Sequence, residues 1–216
     1  MVMLARLVDK AVNMARTVGS TGERTEAEIL KAAIDLIAAH GFEAVTLREI
    51  AREAGIQAGS LYRYFPSKGD LLMRVISGHL EDLLEEWERT GRQDGPAGER
   101  LRNFIVFHVK YHAARPRKVF IANMELRSLR PDDRAAVVAM RKRYEDILAD
   151  ILRDGVKEGV FSIPDIPVAT YGILAMLTGV TAWYQEGGRL SQQQLAACYQ
   201  QLICHGIEGA GGKGGA

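Results

Sequence analysis

The chain has 216 residues, with 28 lysine and arginine side chains against 27 aspartate and glutamate side chains, a formal net charge of +1. This balance excludes a protein whose whole surface is polycationic, such as a histone-like or ribosomal protein, but it leaves room for a small basic patch. Hydrophobic residues make up 47% and charged residues 25%, an ordinary globular composition that excludes wholesale disorder.

Apolar residues recur at spacings of three and four along nearly the whole chain, which predicts an all-α protein. The first helix is predicted to start at a capping box formed by Thr25 and Glu28. A second, short helix begins at Thr46 and ends near Gly55, and a third covers 57–65. The later helices are predicted over 67–90, 99–114, 117–129, 131–158, 166–185 and 191–207.

The cysteines and the apolar segments favour a cytoplasmic protein. Cys198 and Cys204 would face different sides of a helix, which argues against a mutual disulfide or a shared metal. The N-terminus lacks the uninterrupted apolar core of a signal peptide. The uncharged segment 166–185 is just long enough to span a membrane, but it contains Pro167 and two glycines, so we favour a buried helix.

The segment 46–65 has the spacing of a helix-turn-helix motif, whose second helix lies in the major groove of DNA. Gly55 permits the tight turn between the two helices. Ala58 and Gly59 give the second helix a thin tip that can approach base edges. These features favour DNA binding over a purely structural helical hairpin.

The stretch TLREIAREAGIQAGSLYRYFPSKGDLL, residues 46–72, resembles the DNA-binding signature of TetR-family transcriptional repressors, and AHGF at 39–42 also matches. The resemblance implies an N-terminal helix-turn-helix domain, a larger helical domain that binds an effector and forms a homodimer, and operator DNA as a partner. It places Thr46 and Arg48 at phosphates, Gln57, Ala58, Gly59 and Ser60 at base edges, Tyr62 and Lys68 at the DNA backbone, and Arg63 at backbone or base.

Other interpretations of this segment stay open. Tyr64 and Phe65 are better explained as packing residues than as DNA contacts, Arg52 as a solvated side chain, and Arg48 as a partner of a nearby glutamate. Gln57 stands where family members often have a short hydroxyl residue, and glutamine can pair bidentately with adenine.

The helix-turn-helix motif and the turn-rich and glycine-rich segments divide the chain into four parts. We predict an N-terminal extension over 1–23, either a loose arm or a segment before a true start at Met14. A helix-turn-helix domain over 24–72 is followed by an effector-binding and dimerisation domain over 73–207. The segment 208–216 is predicted to be a disordered tail.

Small and apolar side chains recur along the last two helices and predict a twofold homodimer through a four-helix interface. The alternative is that this stripe packs within one chain. The residues assigned to the interface are Gly172, Ala175, Gly179, Ala182, Leu195, Tyr199 and Leu202.

Aromatic, methionine and histidine side chains of the larger domain suit a pocket for an apolar effector, although each is equally well explained as core. His108 and His112 lie on one helical face, but no third metal ligand is evident, so surface histidines are favoured over a metal site. No cofactor is expected. The candidate effector-binding residues are Phe104, Phe107, His108, Tyr111, Met124, Tyr144, Met176 and Trp183.

The segment WYQEGGRLSQQQL, residues 183–195, is similar to a stretch of TetR-family regulators of fatty-acid and sterol breakdown that sense acyl-CoA thioesters. That similarity would place Arg115, Arg117 and Lys118 near CoA phosphates, though a solvated turn explains them equally well. We therefore expect a ligand-responsive repressor, with an acyl-CoA as the candidate effector. The alternatives are a protein-binding helical adaptor and, since no catalytic motif is present, less readily an enzyme.

Overall fold

The computed structural model describes residues 22–91 and 94–207, which form nine α-helices and two short 3-10 helices. The expectations for the N-terminal extension (apart from 22–23) and for the glycine-rich tail lie outside the described residues. Within the described part of the chain, no helix is long and apolar enough to cross a membrane.

The chain forms two compact units that divide between Val75 and Ile76, within the fourth helix. In the first unit, the side chains of Ile29, Ile37, Ile50 and Leu61 are fully buried and form the core. Its helices are α1 (22–40), α2 (Leu47–Glu53), α3 (Ala58–Tyr64) and the first turns of α4 (Lys68–Thr90).

Local capping explains where two of these helices begin. The Thr46 hydroxyl accepts a hydrogen bond from the Glu49 N–H, while the Glu49 carboxylate accepts one from the Thr46 N–H at 2.8 Å. Ser67 caps α4 by accepting from the Asp70 N–H at 3.1 Å. The capping box predicted at Thr25 is wrong, because α1 already includes residue 22 and Thr25 lies inside it.

In the second unit, α5 is the central helix and packs against α7, α8 and α9. Its buried residues Leu101, Phe104, Ile105, His108 and Val109 recur at helical spacing, which gives one continuous core face. The helices are α5 (Ala97–Ala113), α6 (Pro116–Met124), α7 (Pro131–Lys157), α8 (Ile166–Thr178) and α9 (Gln192–Ile207), with 3-10 turns over Leu126–Ser128 and Gly179–Ala182.

Two helices are shorter than predicted. The α8 helix begins where the Asp165 carboxylate accepts a hydrogen bond from the Val168 N–H, but it ends at Thr178 instead of continuing to 185. The following Gly-Val-Thr sequence has weak helix propensity and tightens into a 3-10 turn. Similarly, α6 ends at Met124, and a 3-10 turn replaces its predicted last residues.

Candidate DNA-binding surface and ligand cavity

The turn between α2 and α3 is a Schellman motif built on Gly55. The backbone of Gly55 has a φ of 70°, a conformation that favours glycine. Its N–H donates to the carbonyl of Arg52 at 3.1 Å, and the Ile56 N–H donates to the carbonyl of Ala51 at 2.9 Å. These bonds end α2 and reverse the chain, so the sequence positions α3 as the second helix of the predicted motif.

The α3 helix and its N-cap residue hold six of the nine residues assigned to DNA. Gln57 caps the helix without a side-chain hydrogen bond to the backbone, so its amide is not used for capping. Gly59 and Arg63 are exposed, and Tyr62 is 49% exposed. A β-carbon added at Gly59 would meet no described atom within 4 Å. Ala58 and Ser60 are half-buried beside them.

The predicted packing roles near α3 agree with the burial. Phe65 is buried and Tyr64 is half-buried. Arg48 and Arg52 are exposed on α2, and among the described residues Arg48 forms no ion pair with a glutamate. Arg48 therefore offers its charge to solvent on the same unit as the exposed side of α3.

Thr46 is engaged within its own helix start. Its hydroxyl donates to the Glu49 carboxylate at 2.8 Å and thereby holds the pKa of that carboxyl below its usual range. Thr46 remains exposed, but its hydroxyl proton is committed to the cap. A phosphate contact by Thr46 would have to use its remaining acceptor capacity or disturb the cap.

Lys68 differs most from its expected role at the DNA backbone. Its Nζ donates to the carbonyl oxygens of Phe42, Val45 and Glu43 at 2.9, 3.1 and 3.3 Å, and it lies 4.2 Å from the centroid of the Phe42 ring. An ammonium group has three N–H donors, so all of them are occupied. Lys68 therefore supports the loop between α1 and α2 instead of presenting its charge to a phosphate.

A cavity of about 750 Å³ lies in the second unit, lined by residues of α4, α5, α6, α7 and α8 and of the turn after α8. Its lining is mainly apolar, with Leu80 and Leu83 of α4 among the contributors. Three of the eight predicted effector residues line it: His108, Met124 and Tyr144.

The other predicted effector residues lie elsewhere. Phe104 is core, with its ring 5.3 Å from the rings of Trp87 and of Tyr144. Phe107 and Tyr111 line a separate cleft of about 440 Å³. Met176 and Trp183 are exposed and do not line the cavity.

Three histidines of the cavity wall are buried, so the expectation that His108 and His112 lie on the surface is wrong. The rings of His108 and His112 stack in parallel with centroids 3.8 Å apart, and the ring of His79 on α4 lies edge-on to that of His112 at 6.1 Å. Burial lowers the pKa of His112 to about 4 and of His79 to about 3, and it holds the pKa of His108 well below its usual value. All three are neutral at pH 7.

The histidines do not form a metal site in the described part of the chain. Nδ1 of His108 lies 3.2 Å from the Tyr144 hydroxyl, and its Nε2 lies 3.1 Å from the Thr178 hydroxyl. Nδ1 of His112 lies 2.9 Å from the carbonyl oxygen of His108. The two contacts of His108 tie α5 to α7 and α8, whereas the contact of His112 lies within α5.

Sequence reasoning missed His79 and Arg141 as cavity residues. The guanidinium of Arg141 donates to the Ala122 carbonyl and, at 3.2 Å, to the Asn123 side chain, and burial lowers its pKa. Neither residue carries a local sequence signal, because each joins the site from a different helix.

The basic residues suggested for CoA phosphates mostly face α4. Arg115 lies over the Tyr111 ring at 3.9 Å and pairs with Glu86 at 3.8 Å, and Lys118 pairs with Asp82 at 3.1 Å. Arg115 lines the 440 Å³ cleft, and neither cation lines the larger cavity.

The predicted dimer stripe falls into two groups. Gly172, Ala175, Gly179 and Ala182 are exposed, and the last three also border the cavity. On α9, Leu202 is exposed and Tyr199 is half-buried, whereas Leu195 is buried inside its own chain. The prediction for Leu195 is therefore wrong: it belongs to the core that α9 forms with α5.

An N-terminal helix-turn-helix and a helical unit with a ligand-sized cavity define the class of ligand-controlled DNA-binding proteins. A family model described as "Bacterial regulatory proteins, tetR family" matches residues 29–75, and a "Tetracyclin repressor-like, C-terminal domain" model matches 94–207. The chain belongs to the TetR family of transcriptional regulators, which confirms the resemblance seen at 46–72.

Individual relatives agree with this assignment. The chain is 30% identical over 200 residues to the HTH-type transcriptional repressor KstR2 of Mycobacterium tuberculosis, covering 90% of this chain and 98% of that protein. It is 26% identical over 182 residues to the fatty acid metabolism regulator protein of Bacillus subtilis, covering 83% and 94%. A solved structure of ketosteroid transcriptional regulator KstR2 of Mycobacterium tuberculosis superposes with a TM-score of 0.77 at 27% identity, covering 85% and 95%. The protein is a DNA-binding transcriptional regulator and not an enzyme.

Proposed function

We propose that the protein is a homodimeric repressor that an acyl-CoA thioester releases from its operator. The observation that carries the proposal is the 750 Å³ cavity in the unit that does not hold the helix-turn-helix. Its volume lies in the range of small-molecule sites, and its mainly apolar lining suits an acyl chain.

The acyl-CoA class is supported by the similarity of 183–195 to regulators that sense these thioesters. The relative from Bacillus subtilis is named for fatty acid metabolism. On the DNA side, the exposed positions of α3 and α2 support a role for Gln57, Gly59, Tyr62, Arg63 and Arg48 at the operator.

The α4 helix offers a route from effector to DNA. It begins at Lys68 in the first unit and carries His79, Leu80 and Leu83 of the cavity wall. A ligand that packs differently against these side chains in two arrangements of α4 would bias the equilibrium between them. Moving that equilibrium from 1:99 to 99:1 requires a roughly 10⁴-fold difference in affinity, about 5.5 kcal/mol.

Acyl-CoA thioesters are expected to lower operator affinity at least about tenfold and to raise the melting temperature of the protein. The measurement is fluorescence anisotropy of a labelled operator, drawn from the region upstream of the gene, with short, medium and long acyl-CoAs. Free CoA is the control and should do neither. Thr181→Trp, which places a large ring in the cavity wall, should abolish the response while Val138→Trp on the exposed side of α7 keeps it. Unchanged operator affinity and melting temperature across the panel would contradict the proposal.

The exposed side of α8 supports the homodimer. Val168, Tyr171, Gly172, Ala175 and Met176 lie on this side, and the helix contains no charged residue. A contiguous apolar surface of this kind marks an interaction site. A second copy of the chain is the fitting occupant, since two recognition helices must reach two half-sites of an operator.

Met176→Glu is expected to shift the protein from dimer to monomer, because it buries an unpaired carboxylate in the proposed interface. Sedimentation velocity gives the mass directly. Val138→Glu is the matched control, because Val138 is 49% and Met176 41% exposed, but Val138 lies on α7. A Met176→Glu protein that remains fully dimeric would exclude this face.

A further inference from the structure

Imidazole nitrogens of His79 and His112 in the cavity wall have no hydrogen-bond partner among the described residues. Nδ1 of His79 is buried and unpartnered, and the His79 side chain lines the cavity. Nε2 of His112 also lacks a partner within the described part of the chain, whereas its Nδ1 is engaged. His79 and His112 are 2% and 5% exposed, so both belong to the interior.

The protonation state of His112 follows from its one hydrogen bond. The carbonyl oxygen of His108 can only accept, so Nδ1 of His112 carries the proton that it donates over 2.9 Å. Burial keeps this imidazole neutral at pH 7, with a pKa of about 4. In the neutral ring Nε2 then has a free lone pair, and it is a hydrogen-bond acceptor.

His108 shows what a satisfied histidine looks like in the same wall. Both of its nitrogens have a hydroxyl partner, Tyr144 at 3.2 Å and Thr178 at 3.1 Å. Both of its ring nitrogens are used by the fold, whereas Nε2 of His112 and Nδ1 of His79 are not. The two groups therefore differ in what they can offer to a ligand.

The open acceptor makes the cavity selective. A ligand with a purely hydrocarbon surface would cover Nε2 of His112 and leave it buried and unpaired, which costs about 1–3 kcal/mol. A ligand hydroxyl at the same place would donate to Nε2 and avoid that cost. Sites with buried hydrogen-bonding groups reject analogues that lack the matching group more strongly than apolar pockets reject an added one.

We propose that the ligand of this cavity carries a hydroxyl group on its otherwise apolar part and that this hydroxyl donates to Nε2 of His112, with His79 as a second polar contact on the same wall. This inference deepens the proposed function, because it names the acyl group as a hydroxyacyl group. The chemistry itself, an O–H donor on an apolar skeleton, does not require the thioester.

Matched ligand pairs test the inference by isothermal titration calorimetry. Each pair consists of an acyl-CoA and the hydroxyacyl-CoA of equal chain length, with the hydroxyl at successive positions, and a parallel series uses the free acids and hydroxy acids. For at least one position the hydroxylated member should bind the wild-type protein about tenfold more tightly than its partner, the equivalent of one hydrogen bond to a buried acceptor.

Two substitutions of His112 distinguish the effect of losing the hydrogen-bond acceptor from the effect of losing the fold. His112→Asn keeps an N–H near the Nδ1 position for the His108 carbonyl but has no acceptor at the Nε2 position, so the preference for the hydroxyl should disappear. His112→Gln places an amide near the Nε2 position and should retain a preference of several-fold. Melting curves of both variants establish that they are folded.

Each outcome bears on one proposal or the other. Equal affinities within every wild-type pair, or an unchanged preference in His112→Asn, would overturn the inference. Acyl-CoAs that bind without preference would leave the proposed effector class standing while the hydroxyl inference falls. If hydroxy acids bind better than acids and the thioesters do not bind, the hydroxyl inference stands and the proposed effector class falls. No binding in either series would refute both.

Discussion

Gly59→Leu is expected to reduce operator affinity at least about 100-fold, a loss of about 2.7 kcal/mol, while the protein stays folded. The position is exposed near the start of α3, and a β-carbon there meets no described atom within 4 Å. Leucine is also a better helix former than glycine by roughly 0.5–1 kcal/mol, so the protein itself should not be weakened. The added side chain would instead occupy the space that a base edge needs in the proposed complex.

The experiment compares operator affinity and melting temperature in the same preparations. Ala39→Leu, which enlarges an exposed side chain near the end of α1, is the matched control and should leave both unchanged. A Gly59→Leu protein with wild-type operator affinity would show that the start of α3 does not enter the groove. A protein with a lowered melting temperature would show that position 59 is packed and not free.

Acidification is expected to destabilise the second unit strongly between pH 6.5 and pH 5. The pKa of His79 and His112 is lowered to about 3 and about 4, and that of His108 is also well below 6.5, so the folded protein keeps all three neutral. The unfolded chain takes up protons on these residues below about pH 6.5, so stability present above that pH is lost as the pH falls. At pH 5 the loss is about 2 kcal/mol each for His79 and His112, and His108 adds to it in the same direction.

Urea denaturation at a series of pH values measures this loss. Both tryptophans, Trp87 and Trp183, lie in the second unit, so their fluorescence reports on that unit. His79→Phe removes one titrating ring of similar size and should reduce the loss at pH 5 by about 2 kcal/mol. His205→Gln changes an exposed histidine and serves as the control. A free energy of unfolding that varies by less than about 1 kcal/mol over this range would refute the neutral cluster.

Local signals account for the parts of the fold that the sequence predicted well. The capping box of Thr46 and Glu49 and the glycine at 55 each act within a few residues, and the signature over 46–72 is contiguous. The helix-turn-helix could therefore be predicted from the sequence. The errors arise where distant or competing preferences decide. The α8 helix stops at Thr178 because the residues after it favour a tighter turn, although their apolar pattern continues.

The ligand cavity was only partly predictable, because its wall is assembled from five helices and the turn after α8. Phe104 and Tyr144 have the same apolar aromatic character in the sequence, but only the packing of the rings shows that Tyr144 reaches the cavity and Phe104 does not. His79 has no sequence link to His112, since α4 brings it to the wall from a separate helix. Likewise, the sequence could not show that the donors of Lys68 are used by carbonyls of another loop.

In the proposed function, α8 contributes both to the ligand cavity and to the interface between protomers. Ala175 borders the cavity, while Gly172 and Met176 on the same short helix lie on the uncharged outer face proposed for the second protomer. Two binding equilibria that share a helix are linked, and linkage is reciprocal in free energy. If effector binding changes the dimerisation constant by some factor, dimerisation must change the affinity for the effector by the same factor. Ligand sensitivity would then be a property of the assembled pair, tuned by how much of the protein the cell contains.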